Sequence, residues 1–237
     1  LPSGGEAAAP TCRWCGRMDP AHVCPVCGSR RVRAVVLGTE RTAEELGRAF
    51  AKYRVKTSGG ERILREIDPG AAIVVATPGA EPRVAGGYGA AVLLDAWALV
   101  QRPDLRAVED TLAKWMGAAT LVQPHADGGE VVVVAEPGMP VVQHLIRWDA
   151  PGFAATELAL RREARFPPAV HVAVVDAPRD ALESFFQRTD LPDYAEVLGP
   201  VDLPPGVRLP GEWDRDQYGP AQRMLVRAPL TGRAALG

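Results

Sequence analysis

Short apolar runs alternate with amphipathic stretches through residues 31–136 of this 237-residue chain. Arg31–Leu37 reads as a strand closed by Gly38-Thr39. Thr42 is placed to cap a helix over Ala43–Ala51, with Glu45 three residues on as in a capping box. Val55 marks a second strand, Ser58-Gly59-Gly60 a turn, and Glu61–Ile67 a short helix ended by Asp68-Pro69-Gly70. Ala71–Thr77 and Ala90–Leu94 are continuous apolar, β-branched runs. Lacking alternation, they fit strands buried on both faces of a parallel sheet. Leu105–Leu121 carries a longer helical pattern, and Asp127-Gly-Gly129 turns the chain into a further apolar strand, Glu130–Ala135. This order predicts one doubly wound α/β layer of about four or five parallel strands. Val35, Ile73, Val75, Leu93 and Val132 are its expected core.

The pattern changes after residue 138. Residues 139–165 read as helical, with Val141, Leu145 and Trp148 on one face and a charged cluster at Arg161, Arg162, Glu163 and Arg165. Phe166-Pro167-Pro168 breaks that helix. Strand, helix and strand then follow at Ala169–Val175, Arg179–Gln187 and Ala195–Leu198. Pro200–Pro220 reads as a Pro/Gly-rich loop, and Arg223–Arg227 as a last strand. This tail fits a small α+β domain that stops before it closes. The chain opens on Leu1 rather than Met and is expected to be a piece of a longer protein.

Cysteine changes the picture most. All four stand in the first 27 residues, as Cys12-Arg-Trp-Cys15 and Cys24-Pro-Val-Cys27. Each C-x-x-C hook puts two thiolates on one tight turn, and two hooks can complete the tetrahedral sulfur set that zinc prefers. Gly16 and Gly28 follow the hooks, where such turns need a residue that tolerates positive φ. Disulfides are the alternative, but a chain this long can bury a core without staples. His22, two residues before Cys24, is a spare ligand or a loop residue. Thiols in metal spacing fit a reducing cytoplasm, and no apolar run reaches the length of a membrane span.

Charge and the usual catalytic motifs say less. The net charge of −2 gives no whole-chain nucleic-acid signature. The 24 Arg against 3 Lys, with no Asn, fit a GC-rich genome rather than phosphate-binding design. No G-x-x-x-x-G-K-[ST] loop, G-x-S-x-G elbow or H-E-x-x-H helix is present. Asp95 closes a buried strand, where a carboxylate can hold metal or water or simply cap the next turn. Trp14, between two cysteines, either packs over the metal module or offers a base-stacking platform. Arg30, Arg31 and Arg33 form a basic knot just past the second hook that could contact phosphates or line a solvated strand edge.

Several pieces resemble the primosomal protein N′ (PriA) helicase family when taken in order. They are Cys24-Pro-Val-Cys27-Gly28-Ser29, Leu37-Gly38-Thr39-Glu40-Arg41, the strand Ile73–Thr77, and Val92-Leu93-Leu94-Asp95. Asp104-Leu-Arg106-Ala-Val-Glu109, Gly129-Glu130-Val131-Val132, Arg161-Arg162 with Pro167-Pro168, and Leu198-Gly199-Pro200-Val201 continue the series. The resemblance implies a zinc module at residues 1–30, a RecA-like second helicase lobe at 31–138 with helices on both sheet faces, and a C-terminal α+β domain at 139–237. It also implies two interleaved zinc sites, so that upstream cysteines would complete the sets of Cys12, Cys15, Cys24 and Cys27. Within this chain the four could instead close on one Zn2+.

The departures from that family point to mechanism. Its helicases carry Q-V-A-G-R-A-G-R, whose arginines reach ATP phosphates. The matching stretch here is Gly117–Pro124, and the two arginines fall on Leu121 and Pro124. An arginine finger is worth ~10³–10⁵ in rate, and neither residue can replace one. The family's G-T-Q-M has become Ala76-Thr77-Pro78-Gly79, and its D-R-D-T-T has become Thr57-Ser-Gly-Gly60. The chain thus resembles the actinobacterial branch, in which helicase motifs are not detectable. That resemblance implies a DNA-binding scaffold for replication restart, with forked or branched DNA and primosome proteins as partners, no membrane and only a nominal ATP site. An active ATP-dependent 3′–5′ helicase is the alternative. A zinc ribbon fused to an α/β module that binds RNA or protein is a third reading.

Overall fold

The computed structural model describes residues 38–102, 104–203 and 215–231, with positions 21, 23, 25–29, 209 and 213. The strand expected at Arg31–Leu37, with Val35, lies outside the described residues. The chain divides into two compact units, residues 1–153 and 154–237.

The first unit opens with helix α1, Thr39–Ala49. It starts earlier than the capping box suggested. Gly38 is the N-cap, and its carbonyl accepts from the Thr42 amide, so Thr42 lies one turn inside. Strand β1, Arg54–Ser58, pairs in parallel with β3, Ala72–Ala76, from Arg54 opposite Ala72 to Ser58 opposite Ala76. Parallel partners need a crossover of about a dozen residues or more, usually helical. Here residues 59–71 contain no helix. The segment expected to be helical over Glu61–Ile67 runs extended into β2, Glu66–Ile67, which pairs in parallel with β4, Arg83–Val84. The apolar period there is too short to nucleate a helix, with Gly59-Gly60 before it and Asp68-Pro69-Gly70 behind.

Strand β5, Ala90–Leu93, leads into a short helix α2, Ala96–Val100, and then α3, Ala107–Ala119. A 3-10 turn, His125–Asp127, precedes β6, Glu130–Val133, which pairs in parallel with β5. Among the described residues every strand pairing in this unit is parallel, as the apolar runs suggested, with one isolated antiparallel bridge between Gly59 and Arg62. The described strands form three separate two-stranded pairs rather than one layer.

Amphipathic helices set the core. Leu112, Trp115 and Ala118 of α3 meet Val141, Val142 and Leu145 of α4, Pro140–Arg147, and Leu93 of β5. Trp115 is 2% exposed. Phe153, in the first turn of α5 (Ala150–Ala164), joins the same cluster. The cluster therefore crosses the division expected at 138/139, because the apolar face of α4 is buried against α3. Trp148, at φ 55°, breaks the expected single helix into α4 and α5. Val132 of β6, expected in the core, is instead 47% exposed, and Val131 and Val134 are also open, while Val133 packs against the cluster. In a two-stranded pair only one face can be covered by α3, so the other face stays open.

The second unit is an antiparallel sheet in the order β7-β9-β8, with β7 Val170–Pro178, β8 Glu196–Asp202 and β9 Ala221–Pro229. Helix α6, Arg179–Arg188, packs on β7 and β9. Its Leu182 is fully buried, as are Val226 and Ala228, which share one face of β9. A bulge between Leu198 and Val201 shifts the register at Gly199-Pro200. A single helical turn, α7 (Arg215–Tyr218), interrupts the loop expected over Pro200–Pro220.

Candidate functional site

Ligands of open α/β sheets bind beyond the carboxyl ends of the strands. At that end of β1 and β3, the Thr39 and Thr77 hydroxyls lie 3.3 Å apart, bringing the first residue of α1 onto the turn after β3. Ser58 is fully buried beside them. Its hydroxyl donates to the Ala80 carbonyl at 2.6 Å and accepts from the Leu64 amide at 3.0 Å. Gly59 is required by close approach, because a Cβ there would collide with the Thr77 hydroxyl. The Glu81 carboxylate accepts from the Gly79 amide at 2.9 and 3.0 Å. A main-chain donor that could hold an anion is therefore already satisfied by the chain's own negative charge.

Leu121 and Pro124 lie elsewhere, between the end of α3 and β6. The Leu121 carbonyl accepts from the Tyr88 amide at 2.9 Å, and the Gln123 amide donates to the Tyr88 carbonyl at 2.8 Å. Gln123 Nε2 also donates to the Gly86 carbonyl at 3.0 Å. The Pro124 carbonyl accepts from Asp127 and Gly129. Leu121 and Gln123 are thus zipped to Gly86 and Tyr88 at the amino ends of β5 and β6. The Thr39–Thr77 cluster stands at the carboxyl ends of β1 and β3. Burial raises the Tyr88 phenol above its usual pKa, with the Glu81 charge adding to the effect. Its hydroxyl donates to the Pro82 carbonyl at 2.7 Å.

Asp95 has left-handed backbone, φ 53°, and N-caps α2. Its carbonyl accepts from the Ala98 amide at 2.9 Å, while its side chain makes no cap bond. Of the expected metal ligands, Cys12, Cys15 and Cys24 lie outside the described residues, as do Trp14, Arg30, Arg31, Arg33 and His22. Cys27 is exposed on a turn. Gly28 follows at φ 68°, the left-handed conformation a C-x-x-C-G hook requires.

The second unit holds charge pairs that sequence reading missed. Arg223 of β9 grips Asp176 of β7 through two bonds of 2.8 Å. Those hydrogen bonds hold the Asp176 carboxyl below the usual carboxylate range, against its partial burial. Glu196 bridges Arg165 and Arg227, each at 2.7 Å. Arg223 and Arg227 share a face of β9, opposite Val226. The alternation of Arg223, Leu225 and Arg227 was the available signal, but their acidic partners are remote in sequence. Arg161 is explained as well: it is 8% exposed and donates to the Pro167 carbonyl at 3.0 Å, tying the end of α5 to the Pro167-Pro168 break.

Comparison with known proteins places this geometry. Residues 162–237 match the primosomal protein N C-terminal domain, so the second unit's mixed α/β sheet is that domain. The chain is 54% identical over 228 residues to "Probable replication restart protein PriA" of Mycobacterium tuberculosis, covering 94% of this chain and 35% of that protein. It is 55% identical over 218 residues to the protein of the same name from Mycobacterium leprae, covering 92% and 33%. To "Replication restart protein PriA" of Bacillus subtilis it is 26% identical over 219 residues, covering 81% and 27%. The chain belongs to the PriA family, and it spans about a third of the length of the mycobacterial relatives it matches. Among the described residues no helix is long and apolar enough to cross a membrane.

Proposed function

We propose that this chain is part of a DNA-binding replication-restart protein that recognises forked or branched DNA and serves primosome assembly without unwinding DNA. The observation that carries this reading is the 54% identity to a PriA protein along nearly the whole chain. Residues 31–138 are read as a degenerate RecA-like second lobe, which the parallel pairing of β1–β3 and β5–β6 supports. Residues 1–30 are read as a zinc module, which the Gly28 turn supports.

The absence of ATP-driven unwinding rests on chemistry. Leu121 and Pro124 occupy the positions where the family resemblance calls for guanidinium groups. Neither can stabilise charge on a transferring phosphoryl group. Pro124 also lacks a main-chain N–H that might substitute. On the other strand ends, Glu81 sets a carboxylate on Gly79, where a phosphate would be repelled. DNA binding needs none of this machinery.

The test is a phosphate-release assay on the full-length protein with forked DNA, run beside a salt-titrated comparison of forked and linear DNA. Background hydrolysis with tighter fork binding is expected. DNA-stimulated turnover that disappears when the remaining nucleotide-site residues are mutated would restore the helicase reading. Equal binding of fork, linear duplex and RNA would favour a general binding module.

A further inference from the structure

Strand β1 is an edge, with β3 as its one partner strand among the described residues. In a strand, the N–H and C=O of one residue point to the same side, and those of the next residue point to the other. The Ser58 carbonyl accepts from the Thr77 amide at 2.9 Å, so Arg54, Lys56 and Ser58 turn their main chain toward β3. Val55 and Thr57 turn theirs outward, and among the described residues those groups have no hydrogen-bond partner. A cleft of about 790 Å³ runs beside them, within the range of ligand sites, about 300–1,000 Å³. Val55, Lys56 and Thr57 all line it. Their side chains alternate between the two faces of the strand, so a cavity that touches all three lies along its edge. The far wall is the extended crossover and β4, with Leu64 and Ile67 as apolar surface. An uncovered strand edge in a cleft of this size is a template for another strand.

We infer that β1 accepts an extended internal segment of a partner protein as an added strand, one in which acidic side chains alternate with β-branched ones. The inference goes beyond the reading above and does not rest on it. The residue pattern of β1 sets the chemistry. Arg54 and Lys56 share one face, and Val55 and Thr57 share the other. Across a strand pair, opposite charges and β-branched pairs are favourable, and like charges are not. An alternation of glutamate and valine is therefore complementary over the five residues of β1, a span of about 17 Å. Neither Arg54 nor Lys56 forms an ion pair with another described residue. Arg62 and Arg83 add positive charge along the cleft. Glu66 and Asp68 stand on the crossover wall. They repel a segment that is acidic throughout, so the acidic groups belong on the face toward Arg54 and Lys56. A second copy of this chain is a poor occupant, because β1 against β1 sets the cations of one copy against those of the other.

The experiment uses the 237-residue chain and fluorescence anisotropy with a labelled peptide, Gly-Val-Glu-Val-Glu-Val-Gly. Saturable binding is expected below about 1 mM. Methylating one alternate set of peptide nitrogens should abolish it, and methylating the other set should leave it intact, because only alternate amides face β1. Loss with the valine set indicates antiparallel addition, and loss with the glutamate set parallel addition. Arg54→Glu with Lys56→Glu should weaken binding about tenfold and create affinity for the same peptide with lysines in place of the glutamates. Thr57→Pro removes an outward N–H that β3 does not use, on an edge strand where proline is tolerated, and should also weaken binding about tenfold. Arg41→Ala with Arg179→Ala, at exposed helix pairs outside the cleft, should leave binding unchanged. The charge swap with its lysine peptide carries the test even where the proline variant melts early.

No saturable binding up to about 1 mM overturns the inference. So does an equal loss on methylating either set of amides, which shows side-chain contact without a strand. An all-glutamate peptide that binds as tightly as the alternating one shows charge attraction alone and also overturns it. Binding that the charge swap leaves unchanged, or that the Arg41/Arg179 variant loses equally, puts the peptide elsewhere on the chain. Wild-type dimers that the Thr57→Pro variant lacks reassign the edge to a second copy.

Discussion

The Arg223–Asp176 pair should contribute a measurable, pH-dependent share of the second unit's stability. The two residues lie directly opposite on β9 and β7 and share two bonds of 2.8 Å. Their side chains are 25% and 22% exposed. A fully exposed pair would be worth about 0–1 kcal/mol, and stripping one partner from a deeply buried pair would cost about 3–5 kcal/mol. With bidentate geometry and intermediate burial, a coupling of about 1–2 kcal/mol is expected. Its pH dependence follows from the depressed Asp176 pKa. The stabilisation is fully present above the unfolded carboxylate value, about 3.9, and is lost as pH falls through the lower folded value. The assay is a double-mutant cycle with Asp176→Asn, Arg223→Met and the double variant. Each would be unfolded in urea at pH 7 and at falling pH to the acid limit of the folded wild type. The exposed helical pair Arg179–Glu183, at 3.0 Å, is the control and should give about 0.3–0.5 kcal/mol. A coupling below about 0.5 kcal/mol at pH 7, at the level of that exposed control, would refute the reasoning. So would a coupling that persists unchanged once Asp176 is protonated.

Trp115→Ala removes the largest side chain of the first unit's core cluster and should cost about 3–5 kcal/mol. For a unit of this size that lowers Tm by about 6–20 °C. A drop of less than about 3 °C in a thermal melt would show that α3 and α4 are not packed through this ring. Zinc should be bound through Cys12, Cys15, Cys24 and Cys27, and replacing all four by Ser should release it. Chelation should leave the cooperative melt of the α3–α4 core intact, because no thiol takes part in it. Metal analysis of the variant and a chelated melt check both parts, and full zinc occupancy in the four-Ser variant would sink the metal assignment.

Much of the local structure was legible in the residues because it depends on near neighbours. The β-branched runs at 72–76, 90–93 and 130–133 form parallel strands, and the 3.6-residue apolar period from Leu105 places α3. Val141 and Leu145 form one helical face buried on α3, but Trp148, read with them, ends the helix and is exposed. Local period alone misled at Glu61–Ile67, where two flanking turns and the β4 partner favour an extended chain. Val132 could not be assigned from its own sequence either, since its burial depends on what covers the far face of a strand pair.

The candidate sites divide along the same line. Only the family resemblance let Leu121 and Pro124 be read as losses of charge. That Leu121 and the neighbouring Gln123 zip to Tyr88 and Gly86 was not legible. The sequence by itself determined the type of most elements and the spacing of the cysteine hooks, which depend on residues within a few positions of each other. Only the tertiary structure decided that the crossover lacks a helix, that Lys56, Arg62 and Arg83 face one cleft, and that Arg223 meets Asp176 across 47 positions. Those outcomes depend on which distant segments pair, and pairing free energy is shared among residues that no local window contains.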